Sequence, residues 1–245
     1  MNASVPNGPI LTVSRLGKRF GGFVALADID LEVARGERIG LIGPNGSGKS
    51  TLTNCLCGTL RNDTGDVTFD GHPLNGLKAH QRTLLGMARS FQLPRPFGTL
   101  TLAENVLVPI IYAGKAHGIA DPTARCHELL DMVGLADKAK KKPGDLTQIE
   151  MRKLELAKAM ASQPRLLIAD ESMAGLSHQE VDDILALLMR LNEQGVTIIM
   201  IEHIMRAVLA FSQRLVVLTA GRKIADGDPK DVIRQPDVVA AYLGS

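Results

Sequence analysis

The residues best suited to chemistry stand in one run of nine near the start of the chain. In chain order they are Gly43, Pro44, Asn45, Gly46, Ser47, Gly48, Lys49, Ser50 and Thr51, which fit the pattern GxxxxGK[ST]. The glycines leave backbone N–H groups open to an anion, the ammonium of Lys49 adds charge, and a following helix N-terminus adds its dipole. The hydroxyl of Ser50 is then placed to hold Mg²⁺. The run therefore predicts a phosphate-binding loop for a nucleoside triphosphate.

Two carboxylates end an apolar run further along the chain. Residues 166–169 are Leu-Leu-Ile-Ala, and Asp170 and Glu171 follow them. A buried parallel strand has this composition, and ligands bind at the C-terminal ends of such strands. Asp170 is expected to complete the Mg²⁺ shell through water, and Glu171 to orient or deprotonate an attacking water. The alternative is a strand that simply runs into an acidic turn.

A histidine and a phenylalanine are further candidates. His203 follows the apolar run 196–201, where an imidazole can donate a hydrogen bond to a γ-phosphate, although a histidine at a strand end is often structural. Phe20 precedes two glycines upstream of the phosphate loop. Its ring can stack on adenine, or it is a core or turn residue.

Strands and helices that alternate along the chain must position these side chains. Apolar runs and period-two alternation predict strands over residues 10–13, 24–33, 38–42, 65–71, 86–91, 166–170, 196–201, 214–219 and 223–225. Helical periodicity predicts helices over residues 49–58, 128–133, 151–161 and 178–192, with short helices over 231–243. The early alternating strands indicate an antiparallel edge. The helical block from residue 100 to 162 indicates an inserted helical subdomain.

The composition limits the class of protein. The chain has 245 residues, 45% of them hydrophobic and 22% charged, with a net charge of +2 and 3% aromatic residues. These values are typical of a globular protein and give no indication of nucleic-acid binding. The N-terminus lacks a secretion signal pattern and no apolar run has the roughly 20 residues of a membrane span, so we expect a cytosolic chain with at most a peripheral membrane role.

Two minor features have simple interpretations. The three cysteines, Cys55, Cys57 and Cys126, lack zinc or CxxC spacing and are expected to be small buried residues in a reducing compartment. Lys138 and residues 140–142 form a basic run, which is typical of a solvated surface and alternatively suits a lipid headgroup.

Together these motifs resemble the ATP-binding cassette, the ATPase subunit of membrane transporters. In that family's terms, Phe20 matches the adenine-stacking aromatic, residues 43–51 the Walker A loop, Gln92 the glutamine that touches Mg²⁺ and couples to the membrane subunit, residues 166–170 Walker B, Glu171 the catalytic glutamate, residues 174–177 the loop that crosses the dimer interface, and His203 the switch histidine. These matches occur in the family's order, and the resemblance covers nearly the whole chain.

The resemblance implies the fold and the roles of the site residues. It implies an α/β P-loop NTPase core with an antiparallel β edge, made of residues 1–98 and 163–245, and a helical subdomain over residues 99–162. It implies ATP and Mg²⁺ as ligands, Glu171, His203 and Gln92 as catalytic residues, and Ser50, Gln92 and Asp170 as the magnesium residues. Phe20, the phosphate loop and Thr147 would bind nucleotide.

The resemblance also implies partners and a transport process. Residues 173–176, 201–205 and 240–244 look like those of ATPases from branched-chain amino acid importers, with urea and amide importers and lipopolysaccharide exporters as alternatives. The implied partners are a second ATPase subunit, a permease and, indirectly, a periplasmic solute-binding protein, with the chain at the cytoplasmic face of the inner membrane. A soluble cassette that acts in translation or DNA repair is the alternative from another class.

The chain departs from the family in the segment 146–150, which we name the signature tip. Where the family has Leu-Ser-Gly-Gly-Gln, this chain has Leu-Thr-Gln-Ile-Glu. Thr147 keeps a hydroxyl that can reach the γ-phosphate of the partner's nucleotide, but both glycines are replaced, by Gln148 and Ile149. Glu150 adds an anion, which is unfavourable beside a triphosphate unless a cation screens it. The tip is therefore expected to bind the opposing nucleotide less well, and a subunit that binds ATP at a catalytically poor paired site is a further alternative.

Overall fold

The structure is a computed structural model that describes residues 8–90, 94–114 and 118–243. Within these described residues, ten strands form two sheets: β1 Leu11–Phe20, β2 Phe23–Val33, β3 Arg38–Ile42, β4 Thr64–Phe69, β5 His72–Pro73, β6 Met87–Ser90, β7 Leu166–Asp170, β8 Thr197–Ile201, β9 Arg214–Thr219 and β10 Arg222–Gly227. The α-helices are α1 Lys49–Cys57, α2 Ala79–Leu84, α3 Leu102–Gly114, α4 Pro122–Met132, α5 Gln148–Met160, α6 His178–Glu193, α7 Met205–Phe211, α8 Pro229–Val232 and α9 Pro236–Leu243. Single 3₁₀ turns lie at Ala136–Lys138 and Pro143–Asp145.

The first sheet is the predicted antiparallel edge. Its strand order is β2-β1-β4-β5, and every pairing is antiparallel. The expected strand over residues 10–13 was too short, because β1 continues to Phe20, which pairs with Phe23 across the turn. Register shifts between β1 and β2 break the period-two pattern, so alternation alone does not reveal the second half of β1. Asp70 and Gly71 form the predicted turn after β4.

The second sheet carries the strands that end at the candidate site. Its order is β10-β9-β3-β8-β7-β6, parallel except for the β9–β10 hairpin. Every residue of β7 and β8 is buried, because helices and the first sheet cover both faces. Both strands are therefore mostly apolar, and the carboxylates Asp170 and Glu202 stand at or just after their C-terminal ends.

Two large apolar clusters hold the layers together. One joins α3, α4, α5 and α6 to one face of the parallel sheet, and the other fills the space between its opposite face, α1 and the antiparallel sheet. The described residues of the block 100–162 contain the helices α3, α4 and α5 and form no strand, while the division into subdomains at 99 and 162 stays a prediction. Within the described part of the chain, each helix is too short or too polar to cross a bilayer.

The cysteines and the basic run differ slightly from expectation. Cys55 and Cys126 are buried, whereas Cys57 is only partly so. Burial raises the pKa of the thiols of Cys55 and Cys57 to about 11, so both stay protonated and unreactive at neutral pH. In the basic run, residues 140–142 are exposed as predicted, but Lys138 is half-buried and forms an ion pair with Glu150.

Candidate functional site

The phosphate loop connects β3 to α1, as the sequence predicts. Gly43 and Gly48 have positive φ angles of 155° and 105°. A Cβ atom at Gly48 would lie 2.9 Å from the carbonyl oxygen of Ala25, and one at Gly43 would collide with the carbonyl of Leu218. Only glycine lets the loop pass this close to β2 and β9, so the loop is held in place by tertiary contact as well as by its own turn.

Lys49 is the first residue of α1 and its ammonium is bound to the loop. Its Nζ donates to the carbonyl oxygens of Gly43, at 2.7 Å, and of Pro44, at 3.1 Å. Burial lowers the pKa of Lys49, while the charges of Glu171 and Asp170 act in the opposite direction. The ammonium group of Lys49 therefore lies within the loop whose backbone N–H groups can bind an anion.

The ends of β7 and β8 bring together two of the predicted catalytic side chains. Nε2 of His203 donates to Oε1 of Glu171 across 2.8 Å, and the backbone N–H of Glu171 donates to the carbonyl of Ile201. Glu171 has a φ of 45°, in the left-handed region, which costs a non-glycine residue energy and re-aims its side chain. The pair can orient a water molecule and accept its proton.

Asp170 contacts a residue that sequence reasoning missed. Arg89, on β6, donates from Nη2 to the Asp170 carboxylate and from Nη1 to Oδ1 of Asn54, on α1. Arg89 lies in the predicted strand before Gln92, but nothing local marks it, because its partners are 35 and 81 residues away. Gln92 lies outside the described residues.

A cavity of about 250 Å³ opens beside the loop. It is lined by Phe20, Phe23, Ala25, Asn45, Gly46, Ser47, Gly48, Lys49, Ser50, Thr51 and Glu171. Phe20 and Phe23 are 50% and 65% exposed, so neither ring belongs to the core. Phe23 was missed from the sequence, although the pairing of β1 with β2 places it opposite Phe20. Two exposed aromatic faces at the cavity mouth are suited to stacking on a base.

Two more residues of the site region were given no individual role from the sequence. Glu202 is buried and accepts a hydrogen bond from the backbone N–H of Met173 at 2.9 Å. Burial raises the pKa of Glu202 to about 7, and the nearby charge of Glu171 acts in the same direction. The phenol of Tyr242, on α9, is hydrogen-bonded to the backbone of Gly43.

The signature tip lies at the start of α5 and Thr147 is not among the described residues that line the cavity. Oγ1 of Thr147 accepts from the backbone N–H of Glu150, and the Glu150 carboxylate accepts from the backbone N–H of Thr147. Lys138 forms an ion pair with that carboxylate. The anion that the sequence places in the tip is thus screened by a cation of the same chain.

The residues fit a hard divalent cation held together with a phosphate. Among the described residues, no three His, Cys, Asp or Glu side chains converge as a closed metal cage would require. Ser50, exposed at the cavity, and Asp170 supply one hydroxyl and one carboxylate oxygen, and Mg²⁺ typically takes few protein ligands together with phosphate oxygens. Ser47 Oγ, in the loop, is buried and without a hydrogen-bond partner among the described residues, which also suits an anion there.

The sequence is similar to those of a known protein family. The model of the ABC transporter family matches residues 26–174, and that of the branched-chain amino acid ATP-binding cassette transporter matches residues 222–245. The high-affinity branched-chain amino acid transport ATP-binding protein BraF of Pseudomonas aeruginosa is 38% identical over 96% of this chain and 98% of its own length. LivG of Escherichia coli, with the same description, is 35% identical over the same shares.

Solved structures share the fold. A nucleotide-free ATP-binding cassette from an ABC transporter matches with a TM-score of 0.88 and 30% identity, covering 97% of this chain and 100% of that one. The ADP conformation of the cassette MJ1267 gives the same TM-score and identity over 97% and 99%. The dimeric cassette MJ0796 bound to ADP and phosphate gives 0.79 and 27% over 89% and 98%. With the loop, the carboxylates and the histidine so arranged, the chain belongs to the ABC transporter family, as an ATP-hydrolysing subunit of the branched-chain amino acid transport type.

Proposed function

We propose that this chain hydrolyses ATP in the cavity beside its phosphate loop to drive uptake of a branched-chain amino acid, or a related small polar solute, through a membrane permease. The observation that carries the proposal is the convergence of Lys49, Glu171 and His203 at one edge of the parallel sheet. Phosphoryl transfer to water requires a cation that binds the phosphates, a carboxylate that activates water and a hydrogen-bond donor. The cargo is suggested by the relatives, because the cassette does not contact it.

The chain's own residues divide the work of hydrolysis. The loop N–H groups and Lys49 bind the β- and γ-phosphates, and Phe20 and Phe23 stack on the adenine. Glu171 accepts a proton from water as its oxygen attacks the γ-phosphorus, and the bond to the bridging oxygen breaks to leave ADP and phosphate. His203 donates a hydrogen bond to Glu171 in this structure. To donate to a γ-phosphate instead, it must break that bond.

Ser50, Gln92 and Asp170 would hold Mg²⁺. The ion supplies charge neutralisation between the β- and γ-phosphates when bound. Arg89, on β6, forms an ion pair with the Asp170 carboxylate and holds it in position. We expect Asp170 to reach the ion through water.

Two copies of the cassette fold are proposed to enclose two ATP molecules head to tail. Each site then joins the phosphate loop of one subunit to the signature tip of the other, including Thr147. Support comes from the dimeric state of MJ0796, whose fold this chain shares, and from the position of α5, whose N-terminal tip lies outside the cavity of its own chain.

A second cavity, of about 400 Å³, is proposed as the seat of a cytoplasmic segment of the permease. It lies between β6 and the helices α3 and α5, next to the strand that leads to Gln92. Its rim carries exposed apolar side chains, Phe97 at 49% and Tyr112 at 81% exposure, with Arg95 and Lys158 beside them. Apolar anchors flanked by cations are typical of a protein interface. The chain would therefore be held peripherally at the cytoplasmic face of the inner membrane.

The decisive experiment for hydrolysis is Glu171→Gln. The amide cannot accept a proton, so ATP binding should persist while turnover falls by a factor on the order of 100 or more. The control Glu193→Gln removes a charge from an exposed site at the end of α6 and should leave both unchanged. Hydrolysis by E171Q at the wild-type rate would exclude this role for Glu171.

The cargo requires a separate experiment. The chain is purified from membranes with its associated proteins, and the recovered permease and solute-binding protein are reconstituted with labelled leucine, urea or a short amide. ATP-dependent uptake of leucine supports the proposal, whereas uptake of urea or the amide assigns the complex to a related importer. Recovery of the chain without any membrane protein would favour the soluble alternative.

A further inference from the structure

The N-terminus of α5 is already occupied by an anion of the same chain. The first turn of a helix presents unpaired N–H groups and a positive dipole end, which attract phosphate or carboxylate. Here the Glu150 carboxylate lies over that turn and accepts from the N–H of Thr147 at 3.1 Å, while Thr147 Oγ1 accepts from the N–H of Glu150 at 3.4 Å. This reciprocal capping box uses two of the donors that a terminal phosphate would otherwise receive.

Lys138 fixes the carboxylate in this position. Its Nζ forms an ion pair with Oε1 of Glu150, and the two side chains are 26% and 18% exposed, so solvent screens the pair only in part. The hydrogen bond from Lys138, followed by that from the backbone of Thr147, lowers the pKa of Glu150. The carboxylate therefore stays ionised at neutral pH and remains a competitor for any incoming anion.

The two residues that replace the glycines are also committed to their own subunit. Nε2 of Gln148 donates to the carbonyl of Ala174, in the crossing loop, at 3.2 Å. The same Nε2 atom would lie 2.7 Å from a Cβ atom placed on Gly175. Ile149 is half-buried against the helical core cluster. The tip is thus tied to the crossing loop of the same chain and carries side chains where a close backbone approach to phosphate needs none.

We infer that the signature tip of this chain does not support hydrolysis of the nucleotide held by the opposing subunit. The inference rests on the proposed head-to-tail dimer. Its consequence is a functional pair with unequal sites, in which the partner is a different cassette whose tip is neutral and contains glycine. That partner's tip completes the site built on Lys49 and Glu171 of this chain, and the opposite site binds ATP without turning it over.

The test restores a neutral glycine tip in the full chain. The variant Q148G/I149G/E150Q keeps Thr147 and removes the competing anion together with both side chains. We expect the purified chain to hydrolyse ATP slowly and the variant to be faster by about tenfold or more, since each correctly placed donor to a developing anion is worth that much. E150Q alone should also raise the rate, and the matched charge control E193Q should not.

Mixing experiments show whether the tip acts across the dimer. A chain that combines E171Q with the restored tip is inactive alone, and adding it to the wild-type chain should raise ATPase activity, because its tip completes the wild-type site. In the reverse arrangement, E171Q with the native tip is added to the active Q148G/I149G/E150Q chain and should lower the rate. These opposite responses support the inference.

Three results would overturn it. The first is a wild-type chain that already turns over as fast as the restored variant. The second is a gain that is absent on mixing although the restored homodimer is active, because the tip would then act within its own subunit. The third is restored and E150Q variants that bind ATP with wild-type affinity and stay slow. Failure of the proposed function is distinct, since the wild-type chain and K49A would then bind ATP equally poorly.

Discussion

At the scale of single residues, Glu202 is a buried carboxylate that forms a structural hydrogen bond but whose ionised form is unfavourable in the protein interior. It is 2% exposed and its oxygen receives the N–H of Met173, so it fastens the segment after Glu171 to the end of β8. Desolvation dominates and raises the pKa of Glu202 to about 7 from an ordinary value of 4.5, although the backbone hydrogen bonds and the charge of Arg152 act to lower it. The residue therefore titrates within the physiological range.

The free energy of unfolding should therefore decrease as the pH rises. The folded chain binds the Glu202 proton more tightly than the unfolded chain, so its contribution to stability is complete below pH 4.5 and disappears as pH rises through 7. The variant E202Q keeps the acceptor and cannot ionise. We expect it to match wild type at pH 5 and to exceed it at pH 8 by about 2–3 kcal/mol in the free energy of unfolding.

Urea denaturation at both pH values measures this difference. E193Q, which changes an exposed carboxylate, serves as the control and should follow wild type at both. A difference between E202Q and wild type that is the same at pH 5 and pH 8 would refute the titration of Glu202.

At the scale of elements, the C-terminal end of α1 depends on α2, the next helix along the chain. Arg82, on α2, is 3% exposed and donates to the carbonyls of Cys55 and Leu56 at 2.7 Å and to that of Leu74 at 2.9 Å. The last carbonyls of a helix lack intrahelical partners and carry negative partial charge, so a buried guanidinium is a strong cap. The helix that begins with Lys49 is thus fixed at its other end by α2.

We predict that Arg82→Met lowers the free energy of unfolding by about 3 kcal/mol, because several buried carbonyls lose a charged donor. Hydrogen exchange of the amides in the last turn of α1 should accelerate as well. The control Arg61→Met changes an exposed arginine a few residues after α1 and should stay within about 0.5 kcal/mol of wild type. Equal stability of the two variants would show that Arg82 does not cap α1.

At the scale of the whole molecule, the two cavities lie near the neighbouring strands β6 and β7. The nucleotide cavity reaches Glu171 at the end of β7, and the larger cavity is lined by Arg89 of β6. Arg89 is hydrogen-bonded to Asp170, the residue that precedes Glu171 in the chain. A partner seated in the larger cavity would contact the strand whose Arg89 also binds Asp170, which gives a physical route for linkage between the two sites.

We predict that Tyr112→Asp abolishes co-purification with the permease and stimulation of ATPase activity by it, because a charge replaces an exposed aromatic anchor. ATP binding by the isolated chain should be unchanged, since Tyr112 lies outside the nucleotide cavity. Tyr112→Phe keeps the ring and should behave like wild type. Full stimulation of the Y112D variant would place the permease elsewhere.

The local features of this protein follow from its amino-acid sequence alone. The phosphate loop, the buried strands β3, β7 and β8, and helix α6 were all predicted within a few residues, because glycine spacing, continuous apolar runs and capping residues are local properties. The fold class was predicted correctly from the order of the motifs. The roles of the site residues stay predictions, although Lys49, Glu171 and His203 do meet as expected.

The residues that complete the site from distant parts of the chain could be identified only in the folded protein. Phe23 depends on a hairpin pairing, Arg89 on a partner 81 residues away, and Lys138 on a 3₁₀ turn that brings its ammonium to the signature tip. The sequence showed that Glu150 would need a cation but not which one. The reason is physical: desolvation and ion pairing depend on distances between elements, and no periodicity along the chain encodes those distances.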